Sequence, residues 1–308
     1  KDALFIVDEV SLIGIDGSQQ TNVQFGTGNL LEDLVSYVRN GLGCRLILIG
    51  DSAQLPPVGH EYSPALSHEY MDHFGGVSWA ELTTVVRQQK DSGILYNATI
   101  LRTVIAEDYE SGGALFPIEN LELSTDGFTD IQRINGGELI EALTDAYDRY
   151  GEDETIVLSR SNKRANRYNA GIRSQIQYKE ERLVRGDKLM VVKNCYQFIE
   201  DMKDMDYIAN GDIVNLLSIN HYEERYGLHF AQARLSFPDY NDQEISAKVC
   251  LDTLESESAS LTYEQQNALY QGVLADYAHL TTKKKRYDAV REDLFYNALQ
   301  LKYANAIT

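Results

Sequence analysis

Residues 4–7, Leu-Phe-Ile-Val, run without a polar break into Asp8-Glu9 and then Val10-Ser11. An unalternated apolar run of strand length predicts a strand covered on both faces, as in a parallel sheet. Acids at its carboxyl end lie where open α/β sheets bind ligands. A second such run, Arg45–Gly50, opens into Asp51-Ser-Ala-Gln-Leu-Pro-Pro-Val58. Between the two, Asn29–Arg39 places Leu30, Leu31, Leu34, Val35 and Val38 on one helical face. Strand, helix, strand predicts a βαβ unit with parallel strands, so Asp8, Glu9 and Gln54 should share one sheet edge. Pro56 and Pro57 stiffen the turn beside them. A third run, Val77–Leu82, leads into Thr83–Gln88 and brings Arg87 towards the same edge. A strand that ends in a solvated acidic turn is the plainer alternative for the first run.

Further along, Ser92–Asp108 predicts a helix with Ile94, Leu95, Ala98, Leu101 and Ile105 inward. Residues 111–136, with Ser111-Gly-Gly113 and many acids, predict a linker. Glu138–Tyr150 predicts a helix through Leu139, Leu143, Ala146 and Tyr147, and Thr155–Ser159 a short β-branched strand. Ile213–Pro238 alternates about a polar turn at Glu223–Gly227, which predicts a hairpin, and Ile245–Leu251 adds a strand. Tyr263–Leu280 and Lys285–Leu299 predict two helices joined by the basic stretch Thr281–Arg286. That join is either a contact for nucleic-acid phosphates or, more simply, a solvated connection.

Composition sets limits on this picture. The 308 residues leave room for two or three domains and a sizeable core. No apolar stretch approaches a membrane span, and Lys1 onwards is unlike a signal peptide. A cytoplasmic location follows from that reading. Cys44, Cys195 and Cys250 have no paired spacing, as expected of small buried hydrophobes. The net charge of −19 opposes nucleic acid overall. Locally the sign reverses: Arg160–Arg173 carries Arg160, Lys163, Arg164, Arg167 and Arg173 with no acid. Such a strand-to-helix segment suits phosphate, or else is an exposed basic helix balancing acidic neighbours. Two features carry little. His68 and His73 are five apart, whereas zinc ligands facing from one helix need four. Gly26-Thr-Gly28 is too short for a dinucleotide turn and fits a cap for the helix near Asn29.

The blocks LFIVDEVSLI, LILIGDSAQLPPVG and LTTVVRQ, in this order, resemble three successive motifs of superfamily 1 helicases. The Gln-Leu-Pro-Pro-Val turn and the Val-Arg-Gln ending are similar to the RecD-like and Dda-like branch, which moves 5′ to 3′ on single-stranded DNA. Gly186–Asn194 and Asn210–Val214 resemble the blocks that lead into an SH3-type barrel in that branch. Tyr303–Thr308 looks like the strand that precedes a His-Lys-x-Gln-Gly motif.

The resemblance implies an α/β fold with RecA-like parallel sheets, incomplete as a P-loop NTPase, and an inserted SH3-like β-barrel with helices. Expected domains are 1–110, the C-terminal part of a first RecA-like domain, a linker 111–136, and a second RecA-like domain 137–200. An insert with helices at 201–296 and a return strand at 297–308 complete it. The implied activity is ATP-dependent 5′–3′ DNA helicase and translocase, with ATP and Mg²⁺ as cofactors and single-stranded DNA as partner. A monomer is expected, with any partner subunits unspecified. By the same resemblance Asp8 holds Mg²⁺, Glu9 orients and deprotonates the attacking water, and Asp51 belongs to the nucleotide site. Gln54 contacts the γ-phosphate and Arg87 acts as an arginine finger. Asn162, Arg164, Asn169 and Arg173 face the DNA strand.

Departures from the family are clear. No Gly-Lys dipeptide occurs, hence no phosphate-cradling P-loop, and the closing motifs are missing. The chain is therefore expected to be an internal fragment that neither hydrolyses ATP nor unwinds DNA by itself. The alternative from another class is a non-catalytic helicase relic that scaffolds nucleic acid or protein, and an RNA-remodelling ATPase differs only in substrate.

Overall fold

The computed structural model describes residues 1–15, 27–57, 59–85, 92–110, 121–200 and 205–308. Two compact units divide at Arg133/Ile134, so the protein is a mixed α/β chain whose halves differ in kind.

In the first unit, β1 (Leu4–Val7) pairs in parallel with β2 (Arg45–Leu48), Leu4 opposite Arg45 and Val7 opposite Leu48. The crossover contains α1 (Leu30–Arg39). Asn29 caps α1 by accepting from the Glu32 backbone N–H at 3.0 Å, and Glu32 and Asp33 suit the positive end of the helix. Thr27 adds hydrogen bonds to the Asp33 carboxylate. Leu31, Val35 and Val38 are buried, whereas Leu30 is exposed on the flank.

Coverage of the strands departs from expectation. Val7, Leu46 and Leu48 pack on the α1 side, but Leu4 and Ile6 are 56% and 60% exposed, and Ile47 and Ile49 are exposed too. A strand's side chains alternate between faces, and one face of this pair is bare among the described residues. Val77–Leu82 forms no strand. Trp79 there stacks on His68 at 3.8 Å between ring centroids, and Leu82 is open to solvent.

The helix α2 (His68–Asp72) is short, and α3 (Gly93–Glu110) is long but not amphipathic in the expected way. Ile94, Leu101 and Ile105 are exposed, while the polar Asn97 is buried. The reason is local. Asn97 exchanges hydrogen bonds with the Ser124 backbone, and Asp130 caps the helix through Ser92, Gly93 and Ile94. Residues 121–133 thus pack onto α3, and within the expected linker only 134–136 fall in the second unit.

In the second unit, α4 (Leu139–Tyr150) precedes β3 (Val157–Leu158), which pairs in parallel with β9 (Ala306–Ile307). Between them lies a closed barrel in the order β4 (Lys188–Val191), β5 (Ile213–Arg225), β6 (Leu228–Phe237), β7 (Gln243–Cys250) and β8 (Leu299–Tyr303). The β5–β6 hairpin turns at Tyr226-Gly227, both with positive φ, the pair of left-handed residues a tight two-residue hairpin needs.

Strands β7 and β8 are parallel and therefore need a long crossover, supplied by α6 (Tyr263–Asp276) and α7 (Lys283–Glu292). The basic stretch expected as a connection is mostly the first turn of α7. Leu189, Leu216, Leu235, Phe237 and Leu301 fill the barrel. The barrel is wider in sequence than the expected 201–296, because closure takes β4 from before it and β8 from after it. Only Ala306–Ile307 of the expected return strand joins the β3 sheet. No helix among the described residues is long and apolar enough to cross a membrane.

Candidate functional site

The acid pair after β1 is held by a specific break in the ladder. Ile49 N–H donates to Val7 O at 2.8 Å, and Ile49 O accepts from Val10 N–H at 2.9 Å. One residue of β2's extension therefore spans Val7 to Val10, and Asp8 and Glu9 are squeezed out between. Glu9 adopts the left-handed conformation, φ 52° and ψ 38°, which costs a non-glycine residue about 1–2 kcal/mol. Its N–H is taken by Asp8 Oδ1 at 2.9 Å. Both carboxylates are exposed. Gly50 makes the tight approach possible: a Cβ there would stand 2.9 Å from Val10 Cγ1 and 3.2 Å from Ser11 N.

The parallel register brings the turn after β2 to the same edge. Asp51 Oδ1 accepts from Ala53 N–H at 2.9 Å, and Gln54 N–H donates to Asp51 O at 3.1 Å. The Gln54 side chain is left exposed. Asp51 also pairs with Arg102 of α3, so it shapes the turn and is already engaged. Arg102 is a cation at this edge that sequence reasoning missed, because nothing in the α3 pattern distinguished it from a solvated arginine. Asp8, Glu9, Asp51 and Gln54 thus belong to one sheet edge, whereas Arg87 lies outside the described residues.

Among the described residues no three His, Cys, Asp or Glu side chains gather as a metal cage. A Mg²⁺ carried by nucleotide phosphates needs only one or two carboxylates. Asp8, exposed and with one oxygen uncommitted among the described residues, fits that smaller demand. His68 and His73 are otherwise engaged, His68 against Trp79 and His73 Nδ1 with Tyr70 O.

In the second unit, Ser161 caps α5 (Asn162–Gly171) by accepting from Arg164 N–H. The helix carries Lys163, Arg164 and Arg167 outward, all exposed and without an acid among them. Lys163 meets Glu257 at 3.3 Å. Asn162 is half-buried, its Oδ1 accepting from Thr308 Oγ1 at 3.4 Å, so of the four expected DNA contacts only the Arg164 side chain has no partner among the described residues.

Asn169 and Arg173 point the other way, which corrects their expected role. Asn169 is buried; its Nδ2 donates to Tyr303 O and Ala306 O, and its Oδ1 accepts from Ala306 N–H. Arg173 is buried as well, bonded to both oxygens of Asp187 at 3.1 and 2.9 Å, with its guanidinium 4.4 Å from the Tyr303 ring centroid. A cavity of about 340 Å³ lies beside them, lined in part by Asn166, Ser174, Lys179 and Tyr303. Its cations are committed too, since Lys179 also meets Asp187 at 3.3 Å. Burial raises the Tyr303 hydroxyl to about 12 and keeps it neutral.

Compared with known proteins, the chain matches no family model, and no curated protein is significantly similar to it.

Proposed function

We propose that this chain is part of an ATP-driven motor of the superfamily 1 helicase kind, RecD-like, moving 5′ to 3′ on single-stranded DNA. On this reading the first unit is RecA-like, the second combines RecA-like elements with an SH3-type barrel, and the β1–β2 edge faces the terminal phosphate of ATP. The observation that carries it is the extruded Asp8-Glu9 pair, held in a strained backbone beside a turn that offers Gln54. Strain of this kind is retained where a side chain must be aimed.

Glu9, solvent-facing and fixed by its backbone, accepts the proton of the attacking water. Gln54 reads whether the last phosphate is present and passes that to the strand-binding side. Arg87 neutralises charge on the transferring group, and Asp8 would hold a Mg²⁺ ion, which when bound would supply electrostatic stabilisation of the phosphates. The phosphate cradle is not encoded in these 308 residues, so the chain supplies the water-activating and sensing half of the cleft. Lys163, Arg164 and Arg167 grip the DNA backbone.

The test is single-turnover phosphate release by the full-length protein on single strands of increasing length. A translocase releases more phosphate per encounter as the strand lengthens. Release independent of length, or of DNA altogether, overturns the proposal.

A further inference from the structure

The helix α7 opens with Lys283, Lys284 and Lys285 and has no acid in its first turn. Cations there face the positive end of the helix dipole, an arrangement that weakens a helix. Helix stability therefore does not explain the cluster, least of all in a chain of net charge −19. Spacing of i, i+4 and i+8 stacks Lys283, Tyr287 and Arg291 on one face, with Lys284 next to them. Val290, 1% exposed and seven residues on from Lys283, borders that row on its buried side. Arg286 turns away, its Nε donating to Leu280 O at 2.8 Å. The Tyr287 ring is 53% exposed, and the Arg291 guanidinium stands 6.0 Å from its centroid. Lys284 opens the adjoining row, which continues with Asp288 and Glu292 at i+4 and i+8.

A local positive sign with an open aromatic ring between cations fits a strand that offers phosphates and unstacked bases together. Resting on the reading of the protein as a DNA translocase, we propose that Lys283, Lys284, Tyr287 and Arg291 form a contact for single-stranded DNA, additional to α5. The cations meet phosphates and Tyr287 stacks on a base.

The test is fluorescence anisotropy of a labelled single-stranded DNA oligomer with the full chain across a salt series. Each phosphate contact contributes about 0.7 to the slope of log affinity against log salt. Lys283→Ala/Lys284→Ala/Arg291→Ala is expected to lower that slope by about 2. Tyr287→Ala is expected to weaken binding roughly five- to tenfold with the slope unchanged, the mark of stacking. All four side chains are exposed, and thermal melts establish that the variants fold.

The parallel variant Lys163→Ala/Arg164→Ala/Arg167→Ala separates the two ideas. If it alone lowers the slope, the α7 contact is overturned and the α5 reading stands. If neither variant lowers it, both are overturned. Equal binding of the strip to anionic phosphatidylserine vesicles, with Tyr287→Ala without effect on DNA, also overturns the proposal.

Discussion

Asn169 shows how a polar residue on a basic helix can serve the fold. Its amide satisfies two carbonyls and one N–H where the chain passes from β8 to β9. Removing it leaves buried backbone groups unpaired. Asn169→Ala is therefore expected to destabilise the second unit by about 2 kcal/mol, or roughly 4–8 °C in Tm, by calorimetry, without changing the salt slope of DNA binding. Arg173→Ala would cost more, about 3–5 kcal/mol, because Asp187 loses the bidentate partner of its buried charge.

Asp130 titrates in a useful window. The Ser92 hydroxyl and the Gly93 N–H hold its carboxyl below the ordinary aspartate range. The stabilisation from this cap is complete above the ordinary value and is lost as pH falls through the lowered one. Melts of the chain and Asp130→Asn should differ near neutral pH, and the difference should begin to shrink only as pH falls below about 4. A constant difference across that range would show that the cap is not what Asp130 contributes.

At the scale of elements, the hairpin and the helix pair constrain each other. Gly272 of α6 lies against Tyr226 at the β5–β6 turn, and a Cβ there would stand 2.5 Å from the ring. The Tyr226 hydroxyl donates to Asp276 at 2.6 Å. Alanine favours a helix over glycine by about 1 kcal/mol, yet Gly272→Ala should lower stability, since overpacking costs about 1–3 kcal/mol. A higher Tm for that variant would contradict the packing.

The apolar runs of β1 and β2 and the regular spacing of α1, the hairpin and α6 made those elements legible. Periodicity failed where a single polar contact outweighed the apolar stripe. The face of α3 is set by Asn97 and Asp130, and no pattern of hydrophobic residues reveals partners 27 or more positions away. On α5 a signal was present: Ala165, Asn169 and Ile172 share the buried face at helical spacing. Asn169 and Arg173 follow that face inward, whereas the family resemblance implied that they face DNA. That the acids stand at the carboxyl end of β1 was legible, but their extrusion from the ladder was not.

At the scale of the whole molecule, a strongly acidic chain concentrates exposed cations on the outer faces of α5 and α7, and acid with glutamine at the β1–β2 edge. In the proposed motor, the first unit senses nucleotide and the second holds a polyanion. The most direct measurement compares the full-length protein with Glu9→Gln for ATP binding and for DNA-stimulated turnover. The account predicts turnover reduced at least about 100-fold, the range expected when a general base is removed, with ATP affinity within a few-fold of the original. Turnover that survives the substitution would contradict the placement of the attacking water at the β1–β2 edge.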